Sequence, residues 1–398
     1  MNNNMFAMMR HFRDLGADAH VFLNEGEFSH FSPEADTWQL ERWKPYIHNL
    51  PYGDNPRHLF LRRRSTVRRA IQGFDVVLAS GLNAAILDRA GMPLAMFCPY
   101  SMGIEWIGAQ VIRGFRPTAL FHRYVRRAQE RAVCRARMVV TADLSSLTVE
   151  HLTRLRITPH CLMLPMVYQE RLPSPESPEV GLTEVVSRIR QSRFAILAHA
   201  RHHWVENEAN NGSFSASKRT DLLIRGFAQF CREHEAHSPL LIFCEYGRDV
   251  AASRELVRTL GCERFVFWVP TLPRKKIRVL LSLVHVVAGE FVEEGIWGGT
   301  GWEAMAAGRP LLQAVNMSQS TFRAMCSADL PPILDTRSEA QVYAHLKRLC
   351  FEPKFCDRTG KAMLAWFERY QGRNLAAQYI RLLTGGRVFR DDNCAASA

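Results

Sequence analysis

The sequence has no run of about 18 consecutive apolar residues, the length a membrane-spanning helix needs. Its start, Met1-Asn2-Asn3-Asn4, carries neither the basic patch nor the apolar stretch of a secretory signal, so the chain reads as cytoplasmic. No two cysteines stand at Cys-x-x-Cys spacing, which removes the common zinc and redox motifs. There is no Asp-x-Asp motif and no repeat of solenoid period. Low complexity is confined to the opening asparagines and the small-residue tail after Asn393, which excludes long disorder.

What is present is a globular balance: 398 residues, 47% hydrophobic and 23% charged, enough for two or three domains that each bury a core. The ten cysteines, among them Cys98, Cys134, Cys231, Cys244 and Cys394, are scattered through mostly apolar surroundings and read as reduced core residues. Charge is the informative imbalance. With 51 Lys plus Arg against 39 Asp plus Glu, the net +12 favours nucleotides, phosphates, nucleic acid or an anionic membrane face without choosing among them.

Apolar runs and helical patterns alternate along the chain. Met5 to Asp14 is helical and Ala19 to Leu23 a short strand, so the chain opens on the helix of a β-α-β unit, with a first strand expected earlier. Phe74–Ser80, Leu94–Cys98 and Arg137–Thr141 are further strands, separated by helices at Asn83–Ala90 and Thr118–Arg135. Leu172-Pro-Ser-Pro-Glu-Ser-Pro178 stiffens the backbone and marks an interdomain linker. Beyond it come strands at Phe194–Ala198, Leu240–Cys244, Phe265–Trp268 and Val284–Ala288, with a helix over Thr220–His234. Such alternation builds parallel sheets with both faces covered.

The chemistry concentrates in Gly289–Pro310, which leaves a strand, passes a glycine-rich turn and enters a helix at about Trp302. Glycines 295, 298, 299 and 301 let backbone approach a ligand, and the free N–H groups at a helix start attract a diphosphate. Glu294 and Glu303 then face one crevice, where carboxylates accept hydrogen bonds from sugar or ribose hydroxyls. Thr300-x-x-Glu303 fits a capping box equally well, in which the carboxylate only satisfies backbone donors.

The run Glu303-Ala-Met-Ala-Ala-Gly-Arg-Pro310 resembles the acidic signature of the retaining family-4 glycosyltransferases of GT-B fold, in which two glutamates around a glycine loop contact the nucleotide-sugar donor. The usual pattern encloses seven residues between the acids, whereas Glu294 to Glu303 encloses eight. Upstream, Ala198-His-Ala-Arg201 and Lys218-Arg-Thr-Asp-Leu-Leu223 are similar to the family's Gly-Arg strand end and Lys-Gly-x-Asp-Leu-Leu helix start.

The resemblance implies an α/β chain of two Rossmann-like domains facing a central cleft. Residues 1–171 form the acceptor-side domain, its first strand missing; 172–192 are the linker, 193–370 the nucleotide-sugar-binding domain, and 371–398 a terminal helix and tail. It implies transfer of a hexosyl unit from a nucleotide-sugar to a glycan or lipid-linked acceptor with retention of configuration, as in polysaccharide biosynthesis. Arg201, Lys218 and Glu294 take the catalytic roles. Gly247, Gly295, Gly299, Thr300, Gly301 and Glu303 bind the donor, and Gly103 and Glu105, in a Gly-Ile-Glu turn, serve the acceptor.

Two fixed cations stabilise a departing nucleoside diphosphate without a metal, and no cofactor is needed because the nucleotide-sugar is a substrate. The amino-terminal match is looser, since Ser80-Gly81 stands where many members carry a His. Two alternatives remain: a nucleotide-sugar epimerase, and a non-catalytic descendant that binds nucleotide-sugar or a partner.

His202-His203 invites a metal reading, but no further ligand stands at suitable spacing, and a loop lining the crevice is preferred. Trp204–Ser217, polar and rich in Asn and Ser, reads as a disordered insertion or a cover on the donor site. The basic clusters Arg62–Arg64 with Arg68-Arg69, Arg123/126/127/131/135, and Arg274-Lys-Lys276 read as solvated helix faces; a peripheral contact at the inner membrane face would use the first two. No nucleic-acid-binding module is recognisable.

Overall fold

The computed structural model describes residues 4–24, 32–52, 57, 59, 63–99, 114–205, 217–291 and 298–385. Every strand pairing in it is parallel. In the amino-terminal half β1 (Val21–Leu23) pairs with β2 (Ile47–Asn49). A separate sheet follows in the order β3 (Leu78–Ala79), β4 (Met96–Phe97), β5 (Met138–Thr141), β6 (His160–Cys161). Among the described residues no backbone pairing joins the two sheets. Phe74 closes the space between them, its ring 5.0 Å from that of His20 and 5.4 Å from that of Phe22.

Among the described residues the carboxy-terminal half holds six strands: β7 (Phe194–Ala198), β8 (Pro239–Glu245), β9 (Val266–Pro270), β10 (Val286–Ala288), β11 (Leu311–Gln313) and β12 (Leu334–Asp335). Their order is β12-β11-β10-β7-β8-β9. Side chains of a strand alternate between faces, and β7 shows the consequence. Phe194, Ile196 and Ala198 join the core under helices Thr220–His234 and Glu339–Phe351, while Ala195 and Leu197 join the core under helix Arg274–Leu283. Both faces are therefore apolar, which is why β7 reads as an unbroken hydrophobic run.

The second of these cores is shared between the two halves. Met8, Phe12, Met96 and Met163 pack in one cluster with Leu280, Trp302, Met363 and Tyr379. The chain also crosses back: helices Pro353–Tyr370 and Gly372–Thr384 return to the amino-terminal half, where Tyr379 Oη donates to the Met163 carbonyl at 2.8 Å. Arg137 donates to the Leu383 carbonyl at 2.7 Å. The proline-rich segment after residue 171 leads into helix Thr183–Gln191, whose Val185, Val186 and Ile189 enter the shared core. All nine described cysteines are free.

Candidate functional site

Strand order reverses between β7 and β10, and the carboxyl ends of the strands at such a reversal are the usual ligand position in an open α/β sheet. After β7 come His199 and Arg201, with Lys218 just before helix Thr220–His234; after β10 comes Glu290. The next helix begins at Gly299, three residues before the sequence-based start at Trp302, and Gly298 occupies its N-cap without a side-chain hydrogen bond. Thr300 is thus the second helical residue and cannot cap. Glu303 is not half of a capping box; its carboxylate is held by side chains.

Arg274 Nε donates to Glu303 Oε1 at 2.5 Å, and His199 Nε2 lies 2.7 Å from Oε2. Burial pushes the Glu303 pKa up, but the Arg274 charge and the His199 hydrogen bond outweigh it and bring it to about 2 from an ordinary 4.5. Arg274 itself loses solvation, yet Glu303 and Asp36 raise its pKa above the ordinary value. Glu303 is a fixed anion, 7% exposed, in the helix that begins at Gly299.

On the other side of the helix start, Lys218 Nζ lies 2.5 Å from Glu290 Oε2. A Cβ on Gly298 would come within 2.8 Å of Glu290 Oε1, which places that carboxylate against the helix start. The backbone stitches the two segments together: Phe291 N–H donates to the Lys218 carbonyl at 3.2 Å, and Lys218 N–H to the His203 carbonyl at 2.5 Å. The ammonium has three hydrogens and can keep Glu290 while donating to an anion at the helix N-terminus.

The structure thus brings Lys218, Gly299, Thr300, Gly301 and Glu303 to one helix start. Arg201 is exposed beyond His199 on the same loop. Gly247, with φ of 114°, lies where a Cβ would meet the His202 carbonyl oxygen at 2.5 Å; it lets the Arg201–His203 loop dock against the chain leaving β8. Glu294, Gly295, Gly103 and Glu105 lie outside the described residues, as do residues 206–216 of the polar loop. His202 is fully buried, 2.8 Å from Ser253 Oγ through Nδ1, and its burial lowers its pKa to about 4; it is a neutral core histidine rather than a metal ligand.

Three neighbours of Glu303 and Lys218 escaped the sequence reading. His199 and Glu290 follow β7 and β10 within two residues, and position at a strand's carboxyl end was their available signal. Arg274 lay hidden in the Arg274-Lys-Lys276 run, which was expected to face solvent. It points inward because residues 274, 277, 278 and 281 share the buried face of their helix, so this part of that expectation is corrected. Arg126, Arg131 and Arg135 of the second basic cluster pair with Glu130 or Asp88.

No protein-family model matches the chain, and no functionally described protein matches its sequence at a significant level. Solved structures do match. The UDP-glucose complex of Anabaena Alr3699/HepE aligns over 96% of both chains with a TM-score of 0.59 and 16% identity. WaaG, a glycosyltransferase involved in lipopolysaccharide biosynthesis, covers 96% of both at 0.52 and 14%. The trehalose-6-phosphate synthase OtsA covers 95% of this chain and 84% of its own at 0.52 and 10%. With its parallel sheets and the strand-order reversal at β7/β10, the chain has the GT-B fold of these proteins.

Proposed function

We propose that the protein is a glycosyltransferase that moves a hexosyl unit from a nucleotide-sugar to a glycan or lipid-linked acceptor with retention of configuration. The observation that carries this reading is the ionised pair of sites at the start of helix Gly299–Ala306: Lys218 with Glu290 on one side, Glu303 with Arg274 and His199 on the other. The fold supports it, since the similar Alr3699/HepE holds UDP-glucose.

In this reading the helix N-terminus and Lys218 receive the donor diphosphate, and Arg201 closes on it from the adjacent loop. As the bond from the sugar to the diphosphate breaks, negative charge grows on the departing phosphate oxygen, and these preorganised cations stabilise it without a metal. Glu303 accepts hydrogen bonds from donor hydroxyls with lone pairs that Arg274 and His199 leave open.

Purified protein incubated with a panel of nucleotide-sugars, with and without acceptors, tests the proposal by mass spectrometry of the products. Transfer only when an acceptor is present supports it. Conversion of the sugar without an acceptor favours an epimerase, and binding without any product favours a non-catalytic descendant. A lipid-linked acceptor has a matching feature at the start of helix Pro117–Arg135, where Phe115 is 84% exposed, Leu120 51% and Tyr124 44% beside Arg116 and Arg127. Co-sedimentation with anionic vesicles, lost in Leu120→Glu, is the corresponding measurement.

A further inference from the structure

Arg274 belongs to the carboxy-terminal half, yet its side chain contacts both halves. Its Nε is committed to Glu303, while its Nη1 lies 3.4 Å from Asp36 Oδ1 and 3.2 Å from the Met166 carbonyl, both in the amino-terminal half. It is the first residue of its helix, where a cation opposes the helix dipole, so helix stability does not account for it. The segment from Pro33 to Trp38 seats on this same helix start. Asp36 also pairs with Arg10, its carbonyl accepts from Arg278 at 3.3 Å, and Trp38 Nε1 donates to the Lys275 carbonyl at 3.3 Å. Glu170 completes the seat, accepting from Thr37 Oγ1 at 2.5 Å and pairing with Arg278 at 3.3 Å.

Arg10, Asp36, Glu170, Arg274, Arg278 and Glu303 each have an opposite partner, and their side chains are each at most 11% exposed. Desolvated ion pairs of this kind are costly to break singly and define one arrangement of the groups they join. Separating the halves would strip Arg274 of Asp36 and Met166 while leaving it attached to Glu303. The guanidinium fork is planar and rigid, so its orientation fixes that of the carboxylate it holds.

We propose that Arg274 is a positioning residue that couples the seating of the Pro33–Trp38 segment to nucleotide-sugar binding at Glu303, so that the donor site is complete only when the two halves are closed on each other. The inference rests on the donor reading above. Its particular consequence is that Asp36, with no need to touch the donor, controls donor affinity through Arg274.

The experiment is isothermal titration of the full chain with UDP-glucose and with UDP, for the wild type, Arg274→Gln, Asp36→Asn and the double variant, with scattering measured without ligand. Each single change should weaken binding about tenfold, within the range of coupling between two sites, and the double variant should be no weaker than either single one. Arg274→Lys should not restore the affinity, because a lone ammonium cannot bridge both carboxylates as the fork does. Both single variants should show a larger radius of gyration.

Should Asp36→Asn fail to melt cooperatively, Trp38→Phe, which removes the hydrogen bond to the Lys275 carbonyl and keeps an aromatic ring, takes its place. Additive losses, or wild-type affinity in a folded Asp36 or Trp38 variant, would overturn the proposal. A wild type that binds no nucleotide-sugar removes the donor reading instead; scattering then still reports on the seat, and identical profiles for wild type and Arg274→Gln would dismiss Arg274 as its latch.

Discussion

His199 and Glu303, 104 residues apart in the chain, meet at 2.7 Å between Nε2 and Oε2. The contact ties the end of β7 to the helix after β10, across the point where strand order reverses. An ionised carboxylate accepts, so Nε2 carries the hydrogen of this contact; Nδ1 is buried and has no partner among the described residues.

Glu303→Gln keeps the shape of the side chain and removes its charge. With Arg274 left facing a neutral amide, the variant should lose about 1–3 kcal/mol of stability, the cost of leaving a buried polar group poorly satisfied. Donor affinity should fall as well if the carboxylate takes donor hydroxyls. A variant that melts lower yet binds nucleotide-sugar like the wild type would assign Glu303 to structure alone; titration and melting on the same samples decide.

Replacing Lys218 or Arg201 with Ala should each lower turnover by roughly 10² to 10³, the scale of losing one preorganised stabilising group. The two should differ in stability. Arg201 is exposed and its loss should leave melting unchanged, whereas Lys218→Ala strands the Glu290 carboxylate in a half-buried site and should lower it. Normal turnover in both variants would refute their assignment to the donor.

The parts of this arrangement that were legible in the sequence are those written in local pattern. Phe194–Ala198 and Thr220–His234 are strand and helix as their apolar periods dictate. Short strands were harder: of Phe74–Ser80 only Leu78–Ala79 is paired, and Ile47–Asn49 and His160–Cys161 went unread because two or three residues carry no period. The Thr300/Glu303 spacing was ambiguous between capping and binding because both need a carboxylate in the first turn. The N-cap at Gly298 and the long-range partners Arg274 and His199 exclude the capping box, and spacing along the chain does not encode them.

Activity should survive a chelator. In the proposed reaction Arg201 and Lys218 supply the charge that a divalent ion would otherwise bring to the leaving diphosphate, and the chain has no Asp-x-Asp motif. Turnover assayed in EDTA should match the untreated enzyme; complete loss restored by manganese or magnesium would defeat the metal-free reading.

Gly247→Ala should disturb catalysis through the loop it supports. At φ of 114° a side chain is strained, and its Cβ would press on the His202 backbone at 2.5 Å and displace the adjacent Arg201. Turnover should drop together with melting temperature, while Gly261→Ala, also at positive φ but with open space around it, should lower melting alone.

Acid should destabilise the fold in two windows. Burial lowers the pKa of His11 and of His202 from 6.5 to about 4, so the unfolded chain binds more protons between those values and stability falls as pH drops from 6.5 toward 4. Each histidine contributes up to about 1.4 kcal/mol per pH unit there. The Glu303 carboxyl is shifted from 4.5 to about 2, so its contribution is whole above 4.5 and disappears as pH falls toward 2. Urea unfolding across pH 3 to 7 should therefore show a slope that His202→Asn flattens above pH 4, since an amide can keep the Ser253 hydrogen bond without taking a proton. Glu303→Gln should leave that upper slope unchanged and flatten only the lower limb. An upper limb equally steep in the His202 variant would mean that the buried imidazole does not set it.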